Sequence, residues 1–158
     1  MTQEKCKKII YLILIIIWMT TVFVFSNQNG DKSQGTSKKV TKIIVQVFTQ
    51  NQNITEEQTI KIVENTDYAV RKLAHFSIYA LGGILIYHYI NTFNLKNKKK
   101  IIISIVAGVL YATFDEIHQY FVSDRSAKIL DVCIDSLGVI TGIGLIYLIK
   151  NIKKPLNN

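Results

Sequence analysis

Four apolar runs constrain this chain more than any other feature: Ile9–Phe25, Leu73–Ile90, Ile101–Phe121 and Ile129–Ile149, each 17 to 21 residues long. A helix that rises about 1.5 Å per residue needs about 20 residues to cross a hydrocarbon core of about 30 Å. Lipid offers no water to backbone polar groups, so such runs must close their hydrogen bonds internally, as helices. The 49% hydrophobic content matters because it is clumped into these runs. The sequence therefore predicts an all-α, polytopic membrane protein: one small domain over 1–158 with transmembrane helices at about 9–26, 72–90, 101–121 and 129–149.

The +8 charge is unevenly spread. The two ends and the loop 91–100 hold ten lysines against one acid, Glu4. The rest of the chain is close to neutral, with nine basic residues and ten acids. By the positive-inside rule this predicts cytoplasmic N- and C-termini in a cell membrane. The lysines are explained by topology and by anionic lipid, and no aromatic side chains are interleaved with them, so nucleic-acid binding is not expected. The first run is long for a signal peptide, and Phe25–Ser26–Asn27–Gln28 has no small-x-small cleavage pattern, so it reads as an uncleaved span. Cys6 and Cys133 fall on opposite sides in this topology and cannot pair.

Residues 26–71 then lie outside. Asn27 to Gly35 is turn-rich and reads as a loop. Over 37–50, Val40, Ile43, Ile44, Val47 and Phe48 recur at helical spacing opposite Lys38, Lys39, Lys42 and Gln46, which predicts an amphipathic helix capped by Ser37. It could pack on its own bundle or lie on the membrane surface with its lysines toward head groups. Thr55–Glu56–Glu57–Gln58 has capping-box form and starts a second short helix, ending near Asn65, with Asp67 available to cap the next. The outer helical segment is thus expected over 37–65.

Ionisable residues are costly at membrane depth and need a partner or a task. Arg71, His75 and Tyr79 recur four apart and share one helix face. Gly108, Tyr111, Asp115 and His118 form a stripe on the third span, with Glu116 turned about 100° away. On the fourth span Asp131, Asp135, Gly138 and Gly142 form another, acidic above and small below. With Gln119 and Arg125, these polar residues all fall at the outer side of the predicted topology. The inner half holds His88 alone, read as structural. The candidate site is therefore Arg71, His75, Tyr79, Asp115, Glu116, His118, Gln119, Arg125, Asp131 and Asp135. Asp115 and His118 would form one wall, opposite Arg71/His75 and Asp131/Asp135. The arginines suit an anionic group such as a phosphate. A metal reading would use His75, Asp115, His118 and Asp131, but no tight ligand motif supports it, and no cofactor is expected. Ser77 and Ser123 are on no nucleophile elbow.

At these residues the chain resembles the VanZ-like family of small bacterial membrane proteins. The matching elements are Arg71–Lys72-x-x-His75–Phe76-x-x-Tyr79, Asp115–Glu116-x-His118–Gln119, Arg125, and Asp131-x-x-x-Asp135-x-x-Gly138-x-x-x-Gly142, with Phe23-x-Phe25–Ser26-x-Gln28 at the end of the first span. Asp135 departs from the pattern, which leads us to expect asparagine there. The resemblance implies glycopeptide resistance of the teicoplanin type, or another cell-envelope role, in a Gram-positive host. Two functions are expected to compete. One is a non-enzymatic protein that binds an amphiphilic anion, either a lipid-linked wall precursor or a lipoglycopeptide, beside membrane lipid. The other is a metal-assisted or acid–base hydrolase or transferase for a lipid-linked phosphate, with His118 or Glu116 as general base. A purely structural polar seam is the third expectation.

Overall fold

The computed structural model describes residues 2–50 and 54–153, and among these it has five α-helices and no strand. They are α1 (Gln3–Ser26), α2 (Gly30–Thr49), α3 (Glu56–Asn91), α4 (Asn97–Tyr120) and α5 (Ile129–Lys153). α1, α3, α4 and α5 are long and apolar enough to cross a membrane, in the four places the sequence predicts. Residues 51–53, inside the expected segment 37–65, and Lys154 of the charge count lie outside the described residues.

The bundle is built on α3, which packs most extensively on α5 and also touches α1, α2 and α4. Small residues let the two backbones meet. A Cβ on Gly142 would overlap the Ala80 carbonyl oxygen, one on Gly138 the Phe76 oxygen, and one on Gly83 the Val139 oxygen. Lipid tails are as apolar as leucine, so close packing and interhelical hydrogen bonds must hold such helices together. Trp18 of α1 supplies both. Its ring lies against Gly82, and its indole N–H donates to the Ile78 carbonyl at 2.9 Å. Trp18, Tyr79, Ala112, Val139 and Ile143 make the core, while Ile9, Ile13, Ile16 and Val24 of α1 stay exposed, as a lipid-facing surface requires. At the far end from Arg71, His88 stacks on Tyr11 at 5.1 Å. Both cysteines are free.

Two local expectations are corrected. α2 begins at Gly30 rather than Ser37, because Asn29 caps it by accepting the Lys32 N–H at 3.0 Å. Its polar, glycine-containing first turns cost helix propensity. Tertiary docking offsets this: the Gly30 N–H donates to the Ser123 carbonyl at 3.1 Å, and the glycine sits so close to the Asp124 backbone that no Cβ would fit. Asp124 itself has φ of 60°, in the left-handed region. The second correction is that the chain does not break near Asn65. Thr55 and Gln58 form the expected capping box, but the helix they open runs on to Asn91. At 36 residues it spans about 54 Å. That exceeds a hydrocarbon core of about 30 Å.

Asp67 explains both the continuity and the roll of α2. Its carboxylate caps nothing. It is buried against α2 and accepts the hydroxyls of Ser37 at 2.7 Å and Thr41 at 3.0 Å. α2 therefore turns Ser37, Thr41 and Val45 toward α3, and the stripe Val40, Ile43, Ile44, Val47 and Phe48 is left exposed. The helix packs on its own bundle, through a different face from the one its apolar periodicity marks. Thr41→Val keeps the shape and removes one donor. It is expected to lower stability by about 1 kcal/mol. Unfolding of purified protein would show this as a lower midpoint, whereas an unchanged midpoint would mean that Asp67 does not hold α2.

Candidate functional site

The repeat of Arg71, His75 and Tyr79 along α3 puts all three on the wall of one cavity of about 290 Å³. α1 leans on the C-terminal half of α3 through Trp18 and Tyr11, and α2 leans on its N-terminal half through Ser37 and Thr41. The cavity fills the elbow between them. Val22 and Phe25 of α1, Val40 of α2, and Val70, Ala74 and Ile78 of α3 make most of its wall apolar. A second cavity of about 270 Å³ adjoins it and is polar, with Asp31, Tyr68, Lys72, Gln119, Asp124, Lys128 and Asp131 around it. Arg71 and Arg125 line both.

The carboxylates of the site meet groups other than the arginines, and Asp135 Oδ1 is buried without a hydrogen bond. Asp131 pairs with Lys72. Asp135, 1% exposed, lies with Oδ1 3.6 Å from His75 Nδ1. Asp115 accepts the Tyr79 hydroxyl at 3.0 Å and a Gln119 amide N–H at 3.1 Å. Glu116 accepts the backbone N–H of Lys128 at 2.6 Å, satisfying a donor where α5 begins. Among the described residues no carboxylate pairs with either guanidinium. Arg125 is held by neutral oxygens: Nη1 donates to Gln119 Oε1 at 2.7 Å and Nη2 to the Phe25 carbonyl at 3.1 Å. Its Nε is buried without a partner. Burial, and then the like charge of Arg71, push the Arg125 guanidinium below its usual value, against the smaller opposing pull of Asp115 and Glu116. An anion placed beside the two arginines would relieve that repulsion and meet unused donors.

The expected residues thus separate into two layers. Arg71, His75, Tyr79, Gln119, Arg125 and Asp131 face a cavity. Asp115, Glu116, His118 and Asp135 line neither. The expectation that Asp115 and His118 form one wall is corrected: Asp115 stands behind Tyr79 and Gln119, and His118 turns to α1, its ring 4.8 Å from that of Phe23. Helix spacing put His118 on the Asp115 stripe, but α1 occupies that side of α4 one turn further on. Of the proposed bases, Glu116 is engaged by the Lys128 N–H and His118 lies against Phe23. The four residues of the metal reading each meet a different partner, and no three His, Cys, Asp or Glu among the described residues could hold an ion together.

Sequence reasoning missed the contributions of Lys72 and of the end of α1. Ser26 Oγ accepts from Gln119 at 3.3 Å, and the Phe25 carbonyl holds Arg125. The motif Phe23-x-Phe25–Ser26-x-Gln28 was the available signal. A family model described as VanZ/LLP1 matches residues 11–150. No curated protein and no solved structure matches the chain.

Proposed function

The chain belongs to the VanZ/LLP1 family and is a multi-pass membrane protein; from that premise we propose that it binds an amphiphilic anion at Arg71 and Arg125, on the outer face of the cell membrane. The lysine-rich ends and 91–100 loop support the orientation, with both termini cytoplasmic. The observation that carries the reading is the pair of arginines without carboxylate partners, at the seam between a polar and an apolar cavity. Guanidinium groups bind phosphate and carboxylate oxygens through two parallel N–H donors, in a way a lysine cannot copy. A lipid-linked wall precursor has this character, and so does a lipoglycopeptide. Holding either at the outer face would give protection of the teicoplanin type.

The test is expression in a susceptible Gram-positive host. Arg71→Ala and Arg125→Ala should each abolish protection against teicoplanin while the amount of protein in the membrane stays at the wild-type level. Arg71→Lys should restore only part of it. Full protection by both alanine variants at wild-type abundance would sink the proposal.

A further inference from the structure

The apolar wall of the first cavity has no part in holding an anion, yet Arg71 and Arg125 line the same cavity. Val22 lines it from α1 and Ile78 from α3, and Val40 closes the side toward α2. Thr21 to Phe25 and Ala74 to Tyr79 lie within the apolar runs Ile9–Phe25 and Leu73–Ile90. The lower part of the cavity is therefore at bilayer depth. α1 and α2 diverge from their connecting turn along opposite halves of α3 and do not pack closely on each other. The rim between them carries two exposed apolar residues, Phe25 at 55% and Val40 at 47%. A water-soluble anion would leave this surface wet.

We infer that the elbow between α1 and α2 takes one hydrocarbon chain of a membrane lipid, reached sideways from the bilayer, with the lipid's phosphate resting on Arg71 and Arg125. This rests on the anion reading above and names its ligand class: a lipid phosphate rather than a soluble one. The chain moves from bilayer to cavity with little change in apolar hydration, so selection comes from the phosphate. Phosphatidylcholine carries a phosphate as well, but its own choline offsets the charge, so at equal chain length it competes less well for the arginines than the bare phosphate monoester of phosphatidic acid.

The full chain in phosphatidylcholine nanodiscs tests this, with a tryptophan at the rim as reporter. Val40→Trp is the first reporter and Phe25→Trp, on the opposite wall, the second; both positions are exposed, and the unsubstituted protein gives the Trp18 background. Small equal fractions of chain-brominated phosphatidic acid or chain-brominated phosphatidylcholine are added as quenchers. The anionic lipid should quench as if enriched roughly tenfold at the reporter, the ratio given by a preference of about 1.4 kcal/mol. Adding Arg71→Ala and Arg125→Ala to the reporter should erase the difference. Equal quenching by the two lipids, with phosphatidic acid still retained on purification only when the arginines are present, would overturn the chain site and leave the anion site standing. Complete displacement of retained phosphatidic acid by equimolar glycerol 3-phosphate would do the same, since the chain would then add nothing. Equal quenching with no arginine-dependent retention would overturn both.

Discussion

Gly142→Val is expected to lower the stability of the bundle by about 3 kcal/mol, the upper end of what overpacking costs. The glycine sits where α5 meets the Ala80 carbonyl of α3, and a side chain there would overlap a backbone oxygen rather than a side chain that can rotate away. Gly138 and Gly83 make the same kind of approach on either side, so the helices cannot part locally without losing the whole seam. Gly144 is the control, because a Cβ there meets nothing within 4 Å. Denaturant titration of the purified proteins should show an early transition for Gly142→Val and a nearly unchanged one for Gly144→Ala. Equal midpoints would mean that close backbone approach does not hold α3 to α5.

Asp115→Ala is expected to cost about 3 kcal/mol as well, through a different route. Tyr79 has no exposed surface, and its hydroxyl donates to Asp115. Removing the carboxylate leaves that hydroxyl and one Gln119 proton buried without partners, at about 1–3 kcal/mol for each orphan. Asp115→Asn keeps an acceptor for the tyrosine and should lose about 1 kcal/mol. In a Tyr79→Phe background the alanine substitution should cost less, since one orphan is gone. Arg71→Ala, by contrast, leaves no buried group stranded and should spare stability. An Asp115→Ala protein as stable as wild type but unable to bind would place Asp115 against the ligand and refute the two-layer arrangement.

The sequence by itself determined the four spans, because run length against bilayer thickness admits few alternatives. It also determined which side chains share a face. The Arg71, His75, Tyr79 ladder lines one cavity wall, and the Asp131, Asp135, Gly138, Gly142 stripe all turns to α3, since helical periodicity alone sets their direction. Only the tertiary structure decided what each face meets. Spacing placed Asp115 and His118 on one stripe, but Tyr79 waits for the first and Phe23 for the second. Ser37 and Asp67 each carried a local capping signal, and both were overridden. Once α2 and α3 lie side by side, hydroxyl and carboxylate satisfy each other, and a buried carboxylate without donors costs more than a relocated cap. The pairing of Lys72 with Asp131 is likewise a contact across 59 residues. It leaves the two arginines as cations with no acid assigned to them, and their place in one elbow comes from helix packing, which no pattern along a single helix records.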